Sequence, residues 1–221
     1  MEEILKAIVD NDQKAVGQLL KSDPGLAMRL IRRPKLYRSG IFHWIYAGDT
    51  ALHLAAAGYR VEIAGRLLAA GADPNAADNH RQSTPLHYAA DGFVSGPVWD
   101  ANRQVATLRC LVAAGANIHS QDKNGATPLH RAVRTRCAQA VRFLLEAGAD
   151  PTARNKPGST PFHLAVQNTG RGGSGAAVAV KAQREIIEVF LSLGLKPGSR
   201  YGAKKSVRAS ARSPWIQELL A

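Results

Sequence analysis

Short segments with helical apolar spacing alternate with polar, turn-rich stretches along this chain, and the clearest unit spans residues 124–158. Two segments of this unit place apolar side chains at i, i+3 and i+4, which predicts two helices with a turn near residues 136–138. These side chains are Leu129, Ala132 and Val133, then Val141, Leu144 and Leu145. Thr127 suits a helix N-cap, Pro128 suits the first helical position, and Gly148 suits a left-handed residue after the second helix.

The same unit recurs along the chain. Threonines that open a Thr-x-x-His sequence stand at positions 50, 84, 127 and 160, so they are 34, 43 and 33 residues apart. Helix-ending glycines follow in phase at positions 71, 115, 148 and 194. A period of about 33 residues built from a turn and two helices is typical of repeat proteins, whose units stack to bury their apolar faces.

The Thr-Pro-Leu-His helix starts and the Leu-Leu-x-x-Gly-Ala-Asp helix ends resemble those of ankyrin repeats, roughly over residues 49–197. The resemblance implies an all-α solenoid of stacked helix-turn-helix units with finger turns. It also implies a structural hydrogen-bonding role for His53, His87, His130 and His163. We expect one domain over residues 1–221: caps at 1–23 and 198–221, an inserted finger at 24–48, and repeats at 49–83, 84–126, 127–159 and 160–197.

The inserted finger is unusual in length and composition. Thirty residues separate Leu20 from Thr50, whereas fifteen separate Leu145 from Thr160. Aromatic side chains beside arginines anchor protein partners or stack on bases. The alternative is that apolar residues of the finger seal the N-terminal cap, and the two interpretations are compatible. The cationic and aromatic residues are Arg29, Arg32, Arg33, Lys35, Arg38, Tyr37, Phe42, His43, Trp44 and Tyr46.

Two further insertions separate paired helices. One adds ten residues around positions 92–100, with a Gly/Pro-rich loop, and the other adds thirteen, including Gly170–Gly175. The latter matches G-x-G-x-x-G, but it follows a repeat helix and not a β-strand, so a dinucleotide site is not predicted. A weak anion site at Arg171, Gly172, Gly173 and Ser174 is one interpretation, and a flexible or packed turn is the other.

Composition adds one strong feature, a formal net charge of +12. Such an excess attracts polyanions, although a well-solvated scaffold with a basic bias explains it equally well. Cys110 and Cys137 lack metal-ligand spacing and are expected to be free thiols. The acidic start of the chain and the absence of a long apolar run predict a cytoplasmic protein without a membrane span.

No pair of acid/base groups, nucleophile motif, metal-ligand spacing or cofactor motif stands out, so we expect a protein that is not an enzyme. As the resemblance implies, the expected function is a protein–protein interaction scaffold, with an acidic partner favoured by the charge. Sequence-tolerant nucleic-acid binding is the alternative and would weaken steeply with salt. An intramolecular or oligomer contact through the same groove is a third interpretation.

The resemblance also implies where a partner binds, because finger tips and the exposed ends of inner helices usually make the contacts in this family. Arg131 stands where the family usually has an apolar residue in the inner helix, so it is expected to point a charge toward the groove. With the inserted finger added, the expected binding residues are Arg33, Tyr37, Trp44, Tyr46, Asp49, His80, Arg81, Asp91, Lys123, Asn124, Arg131, Arg134, Thr135, Lys156, Gln167 and Asn168.

Overall fold

The computed structural model describes residues 1–37, 41, 43–92, 99–167 and 177–221. Within these residues the chain forms twelve α-helices, one 3₁₀ turn at Pro24–Ala27 and one two-stranded sheet. The strands are β1 (Lys35–Tyr37) and β2 (His43–Ile45). The helices are α1 (Glu2–Val9), α2 (Gln13–Ser22), α3 (Ala51–Ala57), α4 (Val61–Ala69), α5 (Pro85–Ala90), α6 (Ala101–Ala113), α7 (Pro128–Arg134), α8 (Ala138–Glu146), α9 (Pro161–Ala165), α10 (Ala177–Ser192), α11 (Val207–Ser210) and α12 (Pro214–Leu219).

The helices stack in two parallel rows, because each pair leaves an apolar face that only a neighbouring pair can cover. Helices α1, α3, α5, α7 and α9 contact one another in sequence and form the inner row. Helices α2, α4, α6, α8 and α10 form the outer row in the same way. One continuous core runs between the rows, from Ile4 to Leu220. The expected all-α repeat solenoid is confirmed.

The turn between inner and outer helices has the same backbone geometry in three pairs. Asn11, Tyr59 and Arg136 adopt positive φ angles of 56°, 54° and 61°. In each case the next residue donates its N–H to a carbonyl five positions earlier, as Arg60 does to Ala55. The N-terminal pair α1/α2 therefore turns as a repeat does, although its sequence lacks the Thr-x-x-His motif.

The Thr-x-x-His motif builds a reciprocal cap at the start of each of four inner helices, α3, α5, α7 and α9. The Thr50 backbone N–H donates to His53 Nδ1 at 3.0 Å, and the same bond recurs in the other three motifs. This satisfies backbone donors that a helix start leaves without intrahelical partners.

The other ring nitrogen of each motif histidine ties its repeat to the next one. His53 Nε2 donates to the Ser83 carbonyl at 2.9 Å, and the remaining acceptors are the carbonyls of Ala126, Ser159 and Lys205. A carbonyl can only accept and a backbone N–H can only donate, so each ring must be neutral with its proton on Nε2. The structural role implied for these histidines is what the geometry provides.

The finger turns are held edge to edge by backbone hydrogen bonds. Lys123 N–H donates to the Arg81 carbonyl at 2.7 Å, and Lys156 N–H donates to the Asn124 carbonyl at 2.8 Å. Gly48, with a φ of +89°, lies so close to the next finger that a β-carbon would come within 2.4 Å of the Asp78 carbonyl oxygen. The finger tips thus form a fixed row along one edge of the solenoid.

Two features were not predicted. The inserted finger contains an antiparallel hairpin in which Lys35 pairs with Ile45, and Tyr37 with His43. The C-terminal segment contains the short helix α11 before α12, and α11 contacts α9 as a further inner helix would. Among the described residues, no helix combines the length and the hydropathy needed to cross a bilayer.

Because burial lowers the pKa of all four motif histidines, and that of His87 to about 4, acid should destabilise the fold. A lowered folded-state pKa gives stability that is complete above about pH 6.5 and is lost as the pH falls toward 4. We expect His87→Gln, which can still accept from the N-cap and donate to the carbonyl, to remove up to about 3 kcal/mol of this acid-induced loss at pH 4. Urea unfolding at pH 7, 6, 5 and 4 measures it.

The matched control is His119→Gln, at an exposed histidine outside the motif. It should leave the pH profile of the unfolding free energy unchanged. An unaltered profile for His87→Gln would contradict the proposed origin of the acid sensitivity.

Candidate functional site

The inserted hairpin lies on the inner helices rather than projecting away from them. The His43 ring packs on the Tyr88 ring of α5 with centroids 4.7 Å apart, and His43 Nε2 lies 3.7 Å from Asp91 Oδ2. Ile41 is buried against Gly58 at the end of α3. The hairpin therefore covers part of the groove over α3 and α5.

An aromatic and cationic cluster forms where β2 meets the finger turns. The Trp44 and Tyr46 rings are stacked with centroids 6.5 Å apart, and His80 meets Tyr46 edge-on at 4.8 Å. Arg81 donates to the Tyr46 hydroxyl at 3.2 Å, and its guanidinium carbon lies 5.4 Å from the ring centroid. Trp44 stays 49% exposed. Four expected binding residues, from two segments of the chain, are thus brought together.

The fixed row of finger tips continues this cluster along the solenoid. The backbone bonds between fingers place Lys123 beside Arg81 and Lys156 beside Asn124. The side chains of Lys123, Asn124 and Lys156 are exposed. We call Trp44, Tyr46, His80, Arg81, Lys123, Asn124 and Lys156 the finger surface.

Arg131 does not point a charge into the groove, so that expectation is wrong. Its side chain is only 2% exposed and pairs with Asp91 and Asp122, each at 2.7 Å. It also donates to the Ser83 hydroxyl at 2.8 Å. Buried charges need partners of this kind, and the two carboxylates offset the positive charge that replaces the usual apolar residue.

Asp91 belongs to the same network and is not free to bind a partner, which corrects its expected role. Burial opposes its ionisation, but the His43 contact and the positive charges of Arg131 and Arg134 outweigh burial and hold its pKa well below the usual range. Arg134 reaches Asp91 at 3.2 Å and remains 53% exposed, so it can serve both the network and a ligand. The Thr135 hydroxyl accepts the Gly92 N–H at 3.2 Å.

Asp49 is likewise a structural residue, contrary to expectation. Its side chain is fully buried, and Oδ2 accepts from the Tyr88 hydroxyl at 2.8 Å and from the Tyr46 N–H at 2.7 Å. Tyr88, which sequence reasoning did not single out, therefore joins the hairpin, the first finger and α5. Its sequence signal is weak because a tyrosine in an alanine-rich inner helix looks like ordinary core.

Arg33 and Tyr37 lie away from the finger surface, in a cleft of about 1660 Å³ between α1 and β1. The cleft lies on the α1 side of the hairpin, whereas Trp44 is on the other strand. Glu2 and Tyr37 both line this cleft, and burial together with the Glu2 carboxylate raises the pKa of Tyr37.

The remaining expected residues are spread further. Gln167 is exposed after α9, where its carbonyl accepts from the Gln183 amide at 3.2 Å. Asn168 and the anion-site residues Arg171, Gly172, Gly173 and Ser174 lie outside the described residues.

The surroundings of both cysteines disfavour the reactive thiolate form. Burial raises the pKa of Cys137 to about 11, so its thiol is protonated at neutral pH. Burial also raises the pKa of Cys110. Over the described ranges no group of three or more His, Cys, Asp or Glu side chains is arranged to hold a metal ion.

Removing Arg131 should destabilise the protein strongly, because Asp91 and Asp122 would remain buried without their common partner. We expect Arg131→Met to lower the free energy of unfolding by about 3–5 kcal/mol. Arg134→Ala, which removes an exposed contact to the same Asp91, should cost no more than about 1 kcal/mol. Urea unfolding of the two variants at pH 7 makes the comparison. Equal losses of unfolding free energy would contradict the expectation that the buried contacts of Arg131 contribute more than the exposed contact of Arg134.

Comparison with known proteins agrees with this architecture. The family model for "Ankyrin repeat" matches residues 47–79 and 81–123, and that for "Ankyrin repeats (many copies)" matches residues 111–165. The chain is 40% identical over 87 residues to Neurogenic locus Notch protein of Drosophila melanogaster, an alignment covering 39% of this chain and 3% of that protein. It is 36% identical over 88 residues to Alpha-latrotoxin-Lhe1a of Latrodectus hesperus, covering 39% of this chain and 6% of the toxin.

The chain thus spans only a small fraction of the length of these relatives. The helix stack, the recurring Thr-His caps and the matched residues lead to one assignment. This chain belongs to the ankyrin repeat family, a class of generally non-enzymatic protein–protein interaction modules.

Proposed function

We propose that this chain binds an acidic segment of another protein through the finger surface. The observation that carries the proposal is the cluster in which exposed Trp44 stacks on Tyr46 beside His80 and Arg81. Tryptophan, tyrosine and arginine are the residues most often found as binding hot spots. A half-exposed tryptophan in such a cluster offers apolar area that is still available to a partner.

The charge of the surface favours an acidic partner. Arg81, Lys123 and Lys156 follow one another along the linked finger tips, and the chain as a whole carries a net charge of +12. Among the described residues, none of these three side chains makes an ion pair with a carboxylate. Their charges therefore remain available to attract carboxylates and to speed association.

The rigidity of the surface favours affinity. Backbone bonds fix the spacing of the fingers, and Tyr46 is held by Asp49, His80 and Arg81. Little conformational freedom would be lost on binding, so less of the interaction free energy is offset by entropy. Exposed Arg134 and Gln167 on the inner-row side extend the surface toward the uncovered part of the groove.

The test is an affinity capture from cell lysate with nuclease added, using the full chain and a Trp44→Ala/Arg81→Ala variant. We expect the variant to recover about tenfold less of the partner protein than the unaltered chain does, because two central contacts of about 1–2 kcal/mol each would be removed. The captured protein is then purified and its affinity for both chains is measured by calorimetry at two salt concentrations.

The matched control is Arg142→Ala/Val178→Ala, which removes an exposed arginine and an exposed apolar residue from outer helices. It should capture the partner as well as the unaltered chain does. Equal capture by the finger variant would refute the proposed surface. Recovery of nucleic acid without nuclease, with retention that falls steeply with salt, would instead support the alternative of nucleic-acid binding.

A further inference from the structure

The cleft between α1 and β1 is a second recessed surface, separate from the finger surface. Its volume of about 1660 Å³ exceeds the roughly 300–1,000 Å³ typical of small-molecule pockets. One wall is the exposed side of α1, and the other is the segment from Arg29 to Tyr37. These dimensions suit a peptide segment more than a small molecule.

The β1 wall presents the edge of a strand. Pro34, Lys35, Leu36 and Tyr37 all line the cleft, whereas no residue of β2 does. Successive side chains of a strand point to opposite faces, so a lining of consecutive residues indicates the edge and not a face. In this two-stranded sheet β2 occupies the other side of β1.

An antiparallel pair uses the backbone groups of every second residue, so the alternate N–H and C=O groups of β1 point away from β2. Within the described ranges, none of these outward-pointing groups of Lys35, Leu36 and Tyr37 forms a backbone hydrogen bond. An edge of this kind is a template for a further strand. Pro34 and Lys35 limit indiscriminate pairing, as proline and lysine commonly do at sheet edges.

The walls of the cleft differ in charge. Arg32, Arg33 and Lys35 are exposed on the β1 wall, and no carboxylate among the described residues pairs with them. Arg29 is engaged by Asp23 at 2.8 Å, and Lys6 by Asp10 at 2.6 Å. Glu2 and Glu3 lie on the α1 wall, so a ligand must direct its own carboxylates to the opposite side.

The cleft also contains apolar side chains. Leu5 and Ile31 are buried at its base, Val9 is half-buried, and Leu30 is 43% exposed. A strand inserted here would place alternate side chains on this apolar base and the remainder toward the arginines.

We propose that the cleft binds an acidic segment of a partner protein as a third β-strand, added to the edge of β1. Backbone hydrogen bonds supply affinity in this mode of recognition, and alternate side-chain positions supply specificity. The bound segment alternates apolar residues, which contact Leu5, Val9 and Leu30, with carboxylates, which contact Arg32, Arg33 and Lys35. This inference does not depend on the finger surface, since it uses different residues.

The experiment is a selection from a phage-displayed library of random twelve-residue peptides on the full chain. We expect enriched peptides to alternate acidic and apolar residues. Synthetic copies should bind Arg32→Glu/Arg33→Glu roughly tenfold more weakly than the unaltered chain, because attraction becomes repulsion. Glu2→Gln/Glu3→Gln should strengthen binding, because it removes the opposing charges from the α1 wall.

Two further measurements separate strand addition from charge attraction alone. N-methylation of alternate peptide residues should weaken binding roughly fivefold or more for the set that pairs with β1 and leave the other set nearly unchanged. The Trp44→Ala/Arg81→Ala variant should bind the peptides normally, and circular dichroism should show that all variants are folded.

The inference is overturned if no peptide is enriched, or if enriched peptides bind Arg32→Glu/Arg33→Glu as tightly as the unaltered chain. It is also overturned if both N-methylated sets bind equally well. Peptides that lose affinity only with Trp44→Ala/Arg81→Ala would support the finger surface and refute binding in the cleft.

Discussion

One hydrogen-bonded constraint organises this molecule: a neutral histidine that closes the start of its own helix and reaches the backbone of the next repeat. His53, His87, His130 and His163 each accept from a threonine N–H and donate to a carbonyl about one repeat further on. The finger turns are positioned by these bonds and by the backbone bonds between fingers. The spacing of Arg81, Lys123 and Lys156 follows from this architecture, and so does the proposed recognition surface.

The inserted hairpin modifies this regular scaffold where it lies on α3 and α5. His43 contacts Tyr88 and Asp91, and Asp91 in turn pairs with Arg131 of α7, so the insertion is coupled to the buried ion network. The groove is therefore not equally open along its length. Trp44 of β2 belongs to the finger surface, whereas β1 lines the cleft beside α1. The hairpin therefore separates two surfaces of different character.

Periodicity and turn chemistry predicted the parts of the fold that depend on local sequence. Neighbouring residues determine the threonine and proline helix starts, the turn near Arg136 and the left-handed Gly148, so these features could be predicted. The burial and ion pairing of Arg131 could not be predicted, because its partner Asp91 lies forty residues away and approaches only in the folded stack. The hairpin was missed because its strands are three residues long, which is too short for a clear alternation. Among the expected binding residues, Trp44, Tyr46, His80 and Arg81 were brought together, whereas buried Asp49 shows that position near a finger does not guarantee exposure.

The histidine bonds also give the stack a direction. Every motif histidine donates toward the C-terminal neighbour, and the last of them, His163, reaches the Lys205 carbonyl in the tail. Helices α1 and α2 contain no histidine, so the first pair donates no such bond to the next repeat. The two ends of the solenoid are therefore unequal: loss of the tail would break the hydrogen bond from His163, while loss of the first pair would break no bond of this kind. The first step of unravelling therefore breaks a histidine hydrogen bond at the C-terminal end and none at the N-terminal end.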